Sequence, residues 1–283
     1  MSFGWLFYGE LVLLVGSTFV VGFSEHSLVS KSFVQAQQEC VEYLKIPKCR
    51  LYQYLNYNYP NDAQTKCMIR CVGLNLKWWY ADVVLRPEII GQYFLPDGAD
   101  EANQQRTKAC ILRRTSPGEP GSCGHAFEIF QCYLEQFGEL LNCPKQVPLE
   151  DTQLAEVVDF CLGLNEVTLD EFANYTTGAD FSATDASRCL LRCFAIRAGF
   201  YSDQHGPYQK RYELQFGTPT DWNDLEADYC AARYRRDGLE ECTLATRVLF
   251  DCYDFVGTLQ PALLRVLELL KVQQMMALEH LPT

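Results

Sequence analysis

The chain has 283 residues, of which 48% are hydrophobic and 14 are cysteines, and it carries a formal charge of −12. That length admits two domains of roughly 110 to 130 residues each, and the apolar fraction excludes a disordered chain. The acidity, without any basic stretch, excludes nucleic-acid binding, which needs cations to displace counterions from phosphates.

Residues 1–24 read as an export signal. The apolar run from Leu11 to Phe23 is too short for a membrane span, and Gly22 and Ser24 form a small-x-small cleavage site before Glu25. Two features are irregular: the first ten residues hold no Lys or Arg, and Glu10 precedes the run. An uncleaved anchor is the competing reading, but an even cysteine count fits an oxidising compartment better. No other stretch could cross a bilayer, so the expectation is a secreted, extracellular chain without stable membrane insertion.

Beyond the signal, one cysteine pattern occurs twice. Cys40, Cys67, Cys71, Cys110, Cys123 and Cys132 are separated by 26, 3, 38, 12 and 8 residues. Cys161, Cys189, Cys193, Cys230, Cys242 and Cys252 are separated by 27, 3, 36, 11 and 9. Agreement at five gaps reads as a tandem repeat. It divides the chain into a first domain over 25–146 and a second over 147–283, joined at Cys143-Pro144-Lys145-Gln146-Val147-Pro148, where two prolines exclude a helix interior.

The pattern within each repeat is helical. Pro60 and the Asn61-Asp62-Ala63-Gln64 box open a helix from Ala63 to Leu76 that carries Cys67 and Cys71. The matching box Ser182-Ala183-Thr184-Asp185 opens the helix with Cys189 and Cys193. A three-residue gap places both sulfurs on one helical face. Turn clusters fall at Pro117–Gly121 and Phe216–Pro219, and strand signals are weak. In the C-terminal stretch, Thr258 reads as a cap and Pro261 as first-turn. An amphipathic helix over 263–281 follows, with an apolar stripe of Leu263, Val266, Leu267, Leu270, Met275, Ala277 and Leu278. That helix packs on its own domain or in the groove between the two, or else acts as a mobile lid that enters a ligand cavity; the stiff linker makes it the best candidate to cover a shared interface. The fold class expected is all-α.

This spacing, with Arg70, Gly73 and the Trp78-Trp79 pair after Cys67, resembles the insect odorant-binding protein superfamily, in particular its two-domain, atypical mosquito members. The resemblance covers about residues 30 to 255. The long-form salivary scavengers of blood-feeding flies share a two-domain plan, but their cysteine pattern fits less well. What the resemblance implies is two tandem disulfide-stapled helical domains plus the C-terminal helix, with cysteines paired first to third, second to fifth and fourth to sixth. On this chain those pairs are Cys40–Cys71, Cys67–Cys123, Cys110–Cys132, Cys161–Cys193, Cys189–Cys242 and Cys230–Cys252. Sequence alone leaves fifteen pairings open for each six. Cys49 and Cys143 remain over, and the expectation is that they bond to each other. The last gap of the second repeat is one residue longer than in the first, a rotation of about 100° on a helix, so the final cysteine helix there is expected to be distorted or shifted.

Catalytic and metal readings find little support. His26, His125, His205 and His280 stand far apart, and no nucleophile elbow, phosphate loop or dinucleotide fingerprint occurs. The Cys67/Cys71 and Cys189/Cys193 spacings suit zinc only as free thiolates, which a secreted chain does not keep. Glu240 and Glu241 read as a solvated face. The expectation is a chain without enzyme activity, cofactor or metal.

The aromatics point to binding. In the odorant-binding family, helices of this kind converge on an apolar cavity. On that basis the candidate lining is Leu74, Trp78, Trp79, Tyr80, Phe127, Phe130, Tyr133 and Phe137 in the first domain, and Phe200, Tyr201, Leu249 and Tyr253 in the second. The bland reading makes the same aromatics plain core. The function expected is a carrier of small apolar ligands such as odorants, pheromones or lipid-like molecules, with a membrane chemoreceptor as a further candidate partner. Two alternatives stand beside it. One is a tyrosine-rich matrix or eggshell protein; the other is a scavenger of lipid mediators or of amines, which would meet Asp251 or Asp254. The single sequon, Asn174-Tyr175-Thr176, reads as a loop site for glycosylation.

Overall fold

The computed structural model describes residues 29–80, 84–115, 121–178, 180–217 and 223–279. The proposed export signal, most of the 117–121 turn and the 218–219 break lie outside those residues.

The first half is built from helices α1 (Phe33–Tyr43), α2 (Lys48–Leu55), α3 (Ala63–Asn75), α4 (Pro87–Gly91), α5 (Asn103–Arg114) and α6 (Cys123–Gln136). The second half holds α7 (Asp151–Leu164), α8 (Leu169–Gly178), α9 (Asp185–Arg197), α10 (Gln209–Phe216), α11 (Asp224–Arg236), α12 (Glu241–Arg247) and α13 (Phe255–Glu279). A π-helical turn, Val248–Cys252, continues α12. Short antiparallel pairs decorate this all-α frame. They join β1 (Val29–Lys31) to β6 (Lys145–Val147), β2 (Trp79–Tyr80) to β3 (Val84–Leu85), β4 (Phe94–Leu95) to β5 (Glu139–Leu140), and β7 (Tyr201–Ser202) to β8 (Gly206–Pro207).

The caps fall one or two residues from the expected boxes. Asp62 accepts from the Thr65 amide at 2.9 Å and also pairs with Arg50. A carboxylate beside the helix amides and a guanidinium is a stronger cap than Asn61. In the second domain Thr184 and Ser187 cap reciprocally, at 3.1 Å in each direction. Glu240 is also a cap, accepting from the amides of Cys242 and Thr243, and is therefore more than a solvated side chain.

Six disulfides staple the helices with the pairing that the resemblance implies. The seventh is absent: Cys49 and Cys143 are both exposed free thiols. Asn142, next to Cys143, donates to the Tyr57 hydroxyl at 2.9 Å, beyond the C-terminal end of α2. Cys49 sits at the other end of that helix, in its first turn.

The longer final gap of the second repeat is absorbed by the π turn. Cys110–Cys132 and Cys230–Cys252 both span 22 residues and both hold their Cα atoms 5.7 Å apart. The first does so on an unbroken α6, the second across one wider turn.

Two hydrophobic clusters follow the repeats. One runs from Phe33 to Val147, the other from Leu149 to Leu270. The C-terminal helix belongs wholly to the second. It packs on α7 and α8, burying Leu259, Leu263, Val266, Leu267 and Leu270, with Arg265 bonded to Asp151 at 2.9 Å. It does not cover the join between domains, and it begins at Phe255, before the expected cap. Asp254, at φ 45°, turns the chain and accepts from the Gly257 amide. Pro261 thus lies inside the helix, where it lacks the N–H that would bond Gly257. Met275 is exposed, and Ala277 and Leu278 lie outside the described side chains.

The join is made by α10. Leu214 packs on the first cluster and Phe216 on the second. Gln215 exchanges two hydrogen bonds with the Leu149 backbone, at 2.7 and 2.9 Å, and Arg86 reaches across to the carbonyl of Leu214. Lys77 pairs with Glu150 beside it.

Candidate functional site

The aromatic residues expected to line a cavity pack against one another. Trp78 stacks on Phe33 and Phe130, with ring centroids 6.0 and 6.2 Å apart, and leans on Trp79 and Tyr93. Phe94, Tyr133 and Phe137 form a second group with centroids 5.2 to 6.3 Å apart. Phe127 is buried beside them, with the Lys66 ammonium over its ring. In the second domain Phe200 meets Tyr212 and Phe216, Tyr212 meets Tyr253, and Leu249 and Tyr201 are buried in the same cluster. Tyr80 lies in β2, but its side chain is outside the described atoms. The void at Leu74 and Trp79, closed by Arg70, Gly121 and His125, has no room for a water molecule.

Two of the twelve candidates, Tyr133 and Phe137, border something larger. A groove of about 940 Å³ runs between α5, the end of α6 and α10, that is, along the seam of the two domains. Its apolar walls are Leu85, Ile111, Leu112, Phe137 and Leu214. Leu112 is 72% exposed, an uncovered leucine on a helix otherwise rich in polar residues. Burial of the Tyr133 phenol raises its pKa above the ordinary value. Burial also lowers the Arg86 pKa, against the opposing effect of Glu88.

Sequence reasoning missed this groove. Its walls come from segments far apart in the chain, brought together by the docking of α10. The exposed Leu112 was the one local signal.

Three lysines rim the groove, Lys108 on α5, Lys145 on β6 and Lys210 on α10, with two carboxylates, Glu88 and Glu213. A second depression of about 780 Å³, bordered by Tyr57, Leu95, Leu134 and Leu140, holds Asp97 and Glu139 and no cation.

Other candidate groups are already engaged. Asp251 accepts from the Tyr234 hydroxyl and lies 3.8 Å from Arg247, so it is not a bare carboxylate awaiting an amine. Cys189, Glu240 and Cys242 converge as a metal site would, but the two sulfurs are bonded to each other and offer no thiolate. His125 is half-buried at the start of α6. Asn174 is exposed but sits in α8, not in a loop. Thr168 and Glu171 cap that helix reciprocally, and the Thr176 hydroxyl is buried on the Phe172 carbonyl. Among the described residues no helix is long and apolar enough to cross a membrane.

Comparison with known proteins agrees with this frame. The chain is 27% identical over 214 residues to general odorant-binding protein 69 of Anopheles gambiae, a match covering 70% of this chain and 90% of that one. It is 34% identical over 106 residues to general odorant-binding protein 99a of Drosophila melanogaster, covering 35% of this chain and 70% of that one. Among solved structures, Anopheles gambiae odorant-binding protein 22a aligns with 36% of this chain and 95% of its own, at 22% identity and a TM-score of 0.31. The PBP/GOBP family model matches residues 25–136 and again 146–254, and the chain belongs to the PBP/GOBP family.

Proposed function

We propose that the chain is a secreted, non-enzymatic carrier that holds a small apolar ligand in the groove between its two domains. The observation that carries this reading is the groove itself: about 940 Å³ of apolar-walled space, beside aromatic side chains that, among the described residues, are buried against one another. Family membership supports the carrier role and the absence of enzyme activity. Six disulfides support export to an oxidising compartment. Burying about ten methylenes is worth roughly 8 kcal/mol before the cost of association, so micromolar binding, about −8 kcal/mol, needs only a few polar contacts in addition.

The test is titration with an apolar fluorescent probe, N-phenyl-1-naphthylamine, on the native chain and on Gln104→Trp, an exposed wall position where an indole fills the groove. Binding that weakens in the variant without loss of thermal stability supports the groove. Unchanged binding in the variant would move the site elsewhere.

A further inference from the structure

We infer that the groove takes an anionic amphipath, a long-chain carboxylate whose tail lies on Ile111, Leu112, Phe137 and Leu214 and whose head is met by the rim lysines Lys108 and Lys145. The inference rests on the carrier reading and adds the ligand's charge.

The argument is one of local charge against global charge. The whole chain carries −12, yet this groove is rimmed by three lysines and two glutamates. Both glutamates have cations of their own. Glu88 lies 3.3 Å from Arg86, and Glu213 lies 3.3 Å from Lys210. Among the described residues no carboxylate pairs with Lys108 or Lys145. Two cations are thus left over at the edge of an apolar trough, where a partner anion would find them poorly screened on one side.

Lys145 is the more telling of the two. In the β1–β6 pair it stands directly opposite Lys31, and cross-strand neighbours point to the same face. Like charges in that position destabilise a strand pair. Lys31 is neutralised, with Glu39 at 2.8 Å and Asn75 at 2.7 Å. Among the described residues Lys145 has no such partner, and it is half-buried against the groove. A bound carboxylate would complete what Glu39 does for Lys31.

The helical walls repeat the same order. Lys108 is followed one turn later by Ile111 and Leu112 on α5, and Lys210 one turn later by Leu214 on α10. Each wall therefore offers a cation and, 5.4 Å or so along its axis, an apolar side chain, the alternation an amphipath matches. The second depression, with two carboxylates and no lysine, offers the opposite charge.

The experiment compares dodecanoate with 1-dodecanol, equal in tail and different in head charge, by displacement of N-phenyl-1-naphthylamine below the micelle concentration. The full chain and its Lys108→Gln/Lys145→Gln and Leu112→Gln variants are used. The expected result is that the native chain binds the acid about tenfold more tightly than the alcohol, the worth of one charge-assisted hydrogen bond at a partly wet rim. Added salt should shrink the ratio, and the double lysine variant should bring it to about one by weakening binding of the acid. The thermal unfolding temperature of that variant should not fall, since among the described residues neither lysine has an ion pair to lose. Equal binding of acid and alcohol by the native chain, with both weakened by Leu112→Gln, would overturn the anionic inference and leave the carrier reading standing. A preference for the acid that survives loss of both lysines would overturn it too, by putting the head elsewhere. Failure of probe, acid and alcohol alike to bind would overturn both.

Discussion

Gly73 is the floor on which the Trp79 indole rests. A methyl group at position 73 would overlap the far edge of that ring and come against Trp78 as well. The close approach locks α3 to the two tryptophans, and through Trp78 to the stacked rings of Phe33 and Phe130. Helix propensity and packing therefore pull in opposite directions. Alanine favours an exposed helix interior over glycine by about 1 kcal/mol, yet overpacking a filled core costs roughly 1–3 kcal/mol. Gly73→Ala should lower stability in denaturant titration, and combining it with Trp79→Ala should recover part of the loss. A Gly73→Ala chain more stable than the native one would show that the rings have room to move.

The two leftover cysteines make a covalent prediction. Both are exposed and each is free, so alkylation of the folded chain without reductant should modify Cys49 and Cys143 and leave the other twelve cysteines untouched. Peptide mapping that found Cys49 bonded to Cys143 would contradict the arrangement of α2 and the segment after β5 described here.

How much could be read without the fold differs by kind of interaction. The tandem repeat was legible in the cysteine spacing, and a three-residue gap on α3 or α9 commits two sulfurs to one face, but which sulfurs pair came only with the family resemblance. Caps were legible to within a turn. Adjacent Asn61 and Asp62 are both capping residue types, and the fold selects Asp62 through the Thr65 amide and the contact with Arg50. The role of the aromatics was not legible, since Trp78 or Phe130 has the same place in the sequence whether it lines space or fills it. The groove was least legible of all. Ile111 and Leu214 lie about a hundred residues apart, and nothing local to either states that α10 docks on the first domain.

Phenols shielded from water set an alkaline limit. Burial raises Tyr59, Tyr93, Tyr133 and Tyr212 above the ordinary value, which is near 10. Each stays neutral in the fold at a pH where the unfolded chain ionises, so their contribution is full below about pH 10 and is lost as pH rises beyond it. Tyrosinate absorbance from these four should therefore develop together with loss of the helical circular dichroism. Because Tyr133 borders the groove, probe binding should disappear in the same step. Full titration of all tyrosines near pH 10, with circular dichroism unchanged, would contradict their burial. At the acid end the sign reverses. Hydrogen bonds from Lys31 and Asn75 hold Glu39 below its ordinary value, so its contribution is present above the carboxylate range and is lost as pH falls through its folded pKa.

The π turn at Val248–Cys252 yields the least intuitive prediction. Deleting a residue from a helix normally rotates everything after it by about 100°, which would carry a cysteine away from its partner. Here the reverse should hold. The second repeat has nine residues between Cys242 and Cys252 where the first has eight between Cys123 and Cys132, and the wide turn takes up the surplus so that Cys252 still meets Cys230 at a Cα separation of 5.7 Å. Removing Asp251, which is exposed, should turn the segment into a continuous α-helix like α6 with all six disulfides formed. What is lost is the Tyr234 hydrogen bond and the ion pair to Arg247, together worth about 1–2 kcal/mol at an exposed site. The stacked pair Phe250–Phe255, with centroids 4.2 Å apart, brackets the deletion and reports on it: Phe255 should stay buried where α13 begins. Non-reducing peptide maps and denaturant titration of the deleted chain decide the matter. A Cys230 left unpaired would mean that the turn is required by its surroundings rather than by the extra residue.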